Sequence, residues 1–424
     1  MISDLLSQSL RTTALSAAMR GAGLAVRFLP IPQPTILVGP GASGRLGQTI
    51  AGFGHAKILI VTDSIISKLG LLDDLTKALT LGGSEYVIFD AITPDAPIPL
   101  IEEGIEFYCA HGCDAIVAFG GGSSMDASKA IAAAVSNPGK TLRELAGYFK
   151  GLNTPVKIYA VPTTAGTGSE VTVAAVISDP ENHTKLVIVD TRLVPKMAAL
   201  DPCLMTGLPP HITAATGIDA LTHAIEAFVG HWASPYTDDM ALSAVGLIFE
   251  NLRVAYSDGK NLEAREKMAL AATYAGLAFT RANVGYVHAI AHQFGGKYHT
   301  PHGLANAIML PLVLKYSLPA ITDRLALLAV RAKLGRENEA TEVLALKFLD
   351  AVEQLNLDLG IPIFLAALKE SDIPQLAEAA CHEAHTGYPV PRYMTQAVCE
   401  DIIRQVLPPA ASAKKPARRA KKTG

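Results

Sequence analysis

From Lys57 to Val189 short apolar runs alternate with helical stretches, and this alternation limits the fold more than any other feature of the chain. Lys57–Thr62, Tyr86–Phe89, Ala115–Phe119 and Lys157–Val161 are rich in Ile, Val and aromatic residues and read as buried strands. Residues 64–82 and 99–112 between them read as helices. Strands joined by helices need crossover connections, which predicts a parallel sheet with helices on its faces. Residues 27–38, with several prolines, read as an extended edge segment. Val173–Ile177 and Lys185–Val189 read as a hairpin across Asp179–Asn182. Past Pro210 the strand signals stop, and the pattern is helical to about Leu407.

Two strand ends carry loops of unusual composition. The third strand runs into Gly120-Gly121-Gly122-Ser123 and then an Ala-rich helix. Glycine lets backbone approach a ligand closely, and a helix N-terminus offers free N–H groups to a phosphate. Ser123 and Asp126 also fit a capping signal. The spacing is neither GxGxxG nor a Walker A loop, so the loop alone could be a tight strand-to-helix turn. The fourth strand runs into Pro162-Thr163-Thr164-Ala165-Gly166-Thr167-Gly168-Ser169-Glu170. Two such loops at the carboxyl edge of a parallel sheet define a crevice where dinucleotides bind. Lys185 lies near that crevice, or is an ordinary strand lysine.

The helical half contains Asp219-Ala-Leu-Thr-His223, His288-Ala-Ile-Ala-His292 and Thr300-Pro301-His302. Residues four apart on a helix share a face, so each of the first two pairs points one way. Thr300 reads as an N-cap with Pro301 in the first turn, which puts His302 at the start of a third helix. One carboxylate and several imidazoles can thus converge, a ligand set for a borderline divalent metal. Any single histidine could be a packed core residue. Six of the chain's twelve histidines lie within residues 223–302, among them His223, His288, His292, His299 and His302, and this clustering favours a site.

With 424 residues, half of them hydrophobic, the chain supports two cores. The expected organisation is an N-terminal extension (1–29), an α/β dinucleotide-binding domain (30–209), an all-helical metal and catalytic domain (210–408) and a basic tail (409–424). A net charge of −3 argues against a general nucleic-acid partner; weak contacts by the tail, with six cations and no acid, are the exception. The five cysteines show no CxxC spacing, which argues against disulfides and thiolate metal sites and for a cytoplasmic location. No uninterrupted apolar run has membrane-spanning length, and no membrane association is expected. Met1–Leu29, with Arg11, Arg20 and Arg27 and the single acid Asp4, reads equally as a packed amphipathic helix or a mitochondrial targeting signal.

Four motifs together resemble the iron-containing (group III) alcohol dehydrogenases: Gly120–Ser123 with Asp126, Pro162–Glu170, Gly217–Glu226, and His288–Asn306. The resemblance covers roughly residues 30–408 in order. It implies the dehydroquinate-synthase-like fold of that family, an α/β nucleotide domain followed by an all-helical domain. It implies a divalent metal, Fe(II) by the family name with Zn(II) as an alternative, on Asp219, His223, His288 and His302. His292 becomes a proton relay. Gly121, Gly122, Ser123, Asp126, Thr163, Thr164, Thr167, Thr172 and Lys185 become contacts of the cofactor. Asp63 becomes the acceptor of the adenosine ribose hydroxyls, which favours NAD over NADP; its other reading is a helix N-cap. The chain departs from the family in having Asp95 where Asn is common, and in its N-terminal extension and tail.

The implied reaction is hydride transfer between nicotinamide and a small or medium primary alcohol, with the metal as Lewis acid. The substrate is expected between the two halves, near Thr167, Phe279 or Tyr286, in a homodimer or larger homo-oligomer. Three rivals are weighed. A hydroxyacid–oxoacid transhydrogenase would retain NAD through purification. A dehydroquinate-synthase-like lyase would need clustered cations, and Arg253, Arg265 and Arg281 form no obvious cluster by the histidines. A non-catalytic scaffold would have lost ligands, and all candidates are present.

Overall fold

The computed structural model describes residues 28–182 and 184–409, together with Met19, Gly21 and Gly23. The expectations for most of the N-terminal extension and for nearly all of the basic tail lie outside these residues.

The first half runs β1 (Thr35–Val38), α1 (Ala42–Ala51), β2 (Lys57–Val61), α2 (Ser64–Lys68), α3 (Asp73–Leu81), β3 (Glu85–Phe89), α4 (Ile98–His111), β4 (Ala115–Gly120), α5 (Gly122–Val135), α6 (Leu142–Leu145), β5 (Gly147–Tyr148), β6 (Lys157–Pro162), β7 (Ala174–Asp179), β8 (Thr184–Val189) and β9 (Met197–Leu200). Six strands form one sheet in the order β1-β9-β6-β4-β2-β3, with all neighbours parallel. Every residue of β4 is buried, because helices cover both faces of the sheet. Leu59, Val61, Ile116 and Ala118 pack on one side; Ile58, Ile60, Val117 and Phe119 pack on the other, beside Leu46 and Leu75. β7 and β8 form the expected antiparallel hairpin, which pairs with β5 in a second, three-stranded sheet.

The second half is helical: α7 (Pro210–Val229), α8 (Pro235–Ser257), α9 (Leu262–Ala282), α10 (Tyr286–Tyr298), α11 (His302–Arg331), α12 (Thr341–Asp358), α13 (Ile373–Gly387) and α14 (Gln396–Arg404). α11 has 30 residues and an 18-residue stretch with a mean hydropathy of 1.5, enough by length and composition to cross a membrane. It packs against α7, α10 and α12 and contributes Met309, Leu310 and Leu314 to the helical core.

Three local expectations change. Residues 64–82 form two helices, not one, because Gly70 turns the chain with φ 69°. β9 is an added strand, since Met197-Ala-Ala-Leu200 carries little strand propensity; its place between β1 and β6 comes from sheet pairing. The N-cap of α11 is Pro301, not Thr300, whose N–H closes the end of α10 on the Phe294 carbonyl (3.4 Å).

The halves meet along the second glycine loop. Gly168 has φ 61°, and a Cβ there would lie 2.6 Å from the Ala272 carbonyl oxygen and 2.7 Å from Gly276 Cα. Only glycine lets this loop reach the backbone of α9 so closely.

Candidate active site

Asp219, His223 and Glu226 share one face of α7, as helical spacing requires. His288 and His292 come from α10, and His302 and Asn306 from the first turns of α11. One donor atom from each of Asp219, His223, His288 and His302 lies within 4.8 Å of the others, a set able to hold a metal ion. Asp219 Oδ1 is 4.0 Å from His288 Nε2 and 3.5 Å from His302 Nε2. Phe279 stacks on the His223 ring at 4.2 Å between centroids and fixes its plane.

The donor chemistry fits a cation. The Asn306 amide nitrogen sits 2.7 Å from Asp219 Oδ1, 3.2 Å from His288 Nε2 and 3.1 Å from His302 Nε2. An amide has two N–H groups, so three acceptors converge on too few protons. His223 Nδ1 is buried with no hydrogen-bond partner. Burial lowers the His223 pKa, lowers that of His288 well below the ordinary range, and pushes His302 down to about 4. All three imidazoles are thus neutral at pH 7 and present lone pairs, the state a metal requires.

Two carboxylates orient the imidazoles. Glu226 Oε2 lies 2.6 Å from His288 Nδ1, while its oxygens accept the N–H groups of Gly285 (2.8 Å) and Val287 (2.7 Å) at the start of α10. Burial pushes Glu226 up to about 7 against those hydrogen bonds. With Nδ1 as the donor to Glu226, His288 turns Nε2 toward the cluster. Glu383, from α13, holds His292 Nδ1 at 2.6 Å and also accepts from Gln293 (2.8 Å) and the Tyr388 hydroxyl (2.5 Å). His292 stacks on His302 at 5.4 Å, beside the four-residue cluster and outside it.

The cofactor-edge residues gather at the carboxyl ends of β2, β4 and β6. Gly120 pairs with Pro162, and the Thr163 N–H bonds to the Gly120 carbonyl (3.0 Å). Gly121 lies beside Thr164, and a Cβ on Gly122 would meet Thr167 at 2.7 Å. Ser123 accepts the Asp95 N–H (3.1 Å), and Lys185 pairs with Asp95 (2.5 Å). Asp63 Oδ1 caps α2, accepting from Ile65 (2.8 Å) and Ile66 (3.0 Å). The loop also packs on the helix that carries Asp219 and His223: a Cβ on Gly166 would lie 2.8 Å from Thr216 Cβ on α7.

Asp126 and Thr172 are turned inward. Asp126 does not cap α5; it accepts from Ser169 Oγ (2.8 Å) and the Val176 N–H (3.2 Å). Thr172 Oγ1 accepts from Lys129 Nζ (2.9 Å). Lys129, only 1% exposed, also donates to Ser169 Oγ (2.9 Å) and to the carbonyls of Thr172 (3.0 Å) and Ala174 (2.9 Å). Burial lowers its pKa to about 8. This buried lysine ties the helix after the first loop to the second loop. Tyr286 does not face a substrate space: it is buried, bonded to His385 (2.7 Å) and the Met394 N–H (2.8 Å).

Sequence reasoning gave no role to Glu226, Asn306, Glu383 or Lys129. Three had a helical signal: Glu226 lies three residues after His223, Asn306 four after His302, and Lys129 three after Asp126. Glu383 had none, being 91 residues from His292.

Neutral imidazoles and a carboxylate beside the glycine-rich edge of a parallel sheet define a metal-assisted oxidoreductase of the dinucleotide class. Comparison with known proteins agrees. Residues 32–202 match the iron-containing alcohol dehydrogenase model, and residues 213–407 match the C-terminal model of the Fe-containing alcohol dehydrogenase family. The chain is 41% identical over 373 residues to 1,3-propanediol dehydrogenase of Klebsiella pneumoniae, covering 87% of this chain and 96% of that protein. It is 37% identical to the NAD-dependent methanol dehydrogenase of Bacillus methanolicus, covering 90% and 99%. The crystal structure of a 1,3-propanediol oxidoreductase superposes with a TM-score of 0.86 at 39% identity, covering 90% of this chain and all of that one. The chain belongs to the iron-containing alcohol dehydrogenase family. Its activity is that of an NAD-linked alcohol dehydrogenase, or aldehyde reductase in the reverse direction.

Proposed function

We propose that the enzyme interconverts a small or medium primary alcohol and its aldehyde at a divalent iron held by Asp219, His223, His288 and His302. The observation that carries this is the convergence of the four donor atoms within 4.8 Å. Zinc suits the same donors, and the family description favours iron. Iron supplies Lewis acidity and NAD supplies the hydride acceptor.

The chain's own residues do the rest. Glu226 keeps His288 in the tautomer that presents Nε2. Glu383 holds His292 by Nδ1, leaving Nε2 to pass a proton between the reacting oxygen and water. Gly121, Gly122 and Ser123 offer backbone N–H groups and a hydroxyl to the pyrophosphate at the start of α5. Thr163, Thr164, Thr167 and Lys185 line the nicotinamide side. Asp126 and Thr172 act on the cofactor indirectly, by fixing the second loop. Asp63 keeps Oδ2 for the adenosine ribose while Oδ1 caps α2. Phe279, against His223, forms an apolar wall of the substrate space. Substrates of the relatives, propanediol and methanol, are small and uncharged, which supports the same class here.

The working form is taken as a homo-oligomer. A cytoplasmic location is supported by the five cysteines, all free thiols. Anaerobic purification, metal analysis and an NADH-absorbance screen with added Fe(II) or Zn(II) test the whole reading. Metal-dependent NADH formation from propanol or propanediol is the expected result. Bound metal with no NADH from any simple alcohol overturns it.

A further inference from the structure

The turn between β3 and α4 is the strained piece of the cofactor edge. Asp95 and Ala96 both have positive φ, 70° and 45°, without being glycine. Such backbone persists only where its surroundings hold it. Here the Asp95 N–H donates to Ser123 Oγ (3.1 Å), and the Ala96 carbonyl accepts the Ser178 N–H (3.2 Å). Pro97 forms an isolated bridge with Ser178, and Ala96 is fully buried. Ser178 stands opposite Lys185 in the β7–β8 ladder. The turn is therefore laid on the hairpin where Lys185 leaves it, and Asp95 Oδ1 meets Lys185 Nζ at 2.5 Å.

Lys185 stands between the first glycine loop and the histidine cluster. Its strand, β8, packs against α10, the helix of His288 and His292, and its partner Asp95 reaches Ser123 of the first glycine loop. An unpaired cation there would attract a substrate bearing a carboxylate or sulfonate. The carboxylates nearby, Asp219 in the cluster and Glu226 and Glu383 behind its imidazoles, repel an anion, and the pull of a bound metal is the same with or without Asp95.

We propose that Asp95 is a specificity-determining residue: by pairing with Lys185 it cancels the cation at the mouth of the site and restricts the enzyme to uncharged alcohols and aldehydes. This rests on the dehydrogenase reading above. Discrimination then comes from the charge withheld from the wrong substrate. Asp95→Asn keeps the shape of the turn and its N–H to Ser123 while freeing the Lys185 charge. Lys185→Gln does the opposite and leaves Asp95 unpaired.

The test is the ratio of kcat/KM for glyoxylate to that for propanal with NADH. A ratio taken on one enzyme cancels any change in NADH affinity. Asp95→Asn should raise it about tenfold, the size expected for one unit charge at moderate distance in a partly screened site. Lys185→Gln should lower it. A second readout needs no turnover: oxamate should raise the Tm of Asp95→Asn more than that of wild type. A ratio unmoved in Asp95→Asn, equal oxamate shifts in both proteins, or wild type that reduces glyoxylate as well as propanal overturns the proposal. Wild type that reduces neither aldehyde overturns the dehydrogenase reading instead, and the oxamate shifts then decide the charge argument by themselves.

Discussion

The cofactor edge and the histidine cluster are built on opposite rules. At the edge the groups proposed to meet the cofactor are main chain and hydroxyl: Gly121, Gly122, Thr163 and Thr167, set by strand ends and by a helix start. What fixes them lies behind, in the Lys129 clamp and in Asp126. In the cluster the working groups are side-chain atoms on three rigid helices, each oriented by a buried neighbour such as Glu226 or Asn306. The edge should therefore tolerate change at its face and fail when its support is cut. The cluster should fail one atom at a time.

The sharpest way to break this contrast is His288→Ala. Metal content and turnover should fall to background together while the fold persists; a variant that keeps both removes His288 from the site. Next is the clamp. Lys129→Met leaves Ser169, Thr172 and Ala174 without their shared donor and Asp126 without its neighbouring cation, which should cost about 3 kcal/mol of stability. The KM for NAD should rise about tenfold, by more than kcat falls, with metal content intact. The clamp also has a pH signature. The folded-state pKa of Lys129 is about 8 against an ordinary 10.5, so between those values the unfolded chain binds more protons. Lys129 therefore opposes folding below that window and ceases to do so as pH rises through it. Wild-type stability should gain on Lys129→Met between pH 8 and 10.5, as urea titrations at several pH values would show; parallel curves would mean the lysine does not titrate there.

Glu226→Gln should weaken metal affinity by about 10- to 100-fold, the usual loss when a partner behind a ligand is changed. Equal affinity would make Glu226 a cap for α10 and nothing more. Glu383→Gln should leave metal content alone, lower kcat several-fold and shift its pH profile. A change in metal content instead would join His292 to the ligand set. The smallest effect is expected at Asp63→Ser. Serine still caps a helix, so stability should move by less than about 0.5 kcal/mol. The preference for NAD over NADP should relax; an unchanged preference would leave Asp63 as a cap alone.

Much of this molecule was legible before its structure. The parallel sheet followed from buried runs such as Ala115–Phe119, because a strand covered on both faces must be continuously apolar. The pairs Asp219/His223 and His288/His292 followed from helical spacing. Short and weakly coded pieces escaped: β9 is half alanine, and the break at Gly70 hid inside a helical pattern. Ser123 and Asp126 looked like a local cap, yet their hydrogen bonds go to Asp95, Ser169 and Val176.

By itself the sequence determined the two-half architecture and the chemical types gathered in each half. These depend on periodicity and on residue identity, which are local. Only the tertiary structure decided which carboxylate serves which imidazole, that Lys129 is a buried clamp, and that Asp95 holds Lys185. Those pairings join residues as far apart as His292 and Glu383. No periodicity encodes them, because they arise from how whole helices and strands are packed against one another.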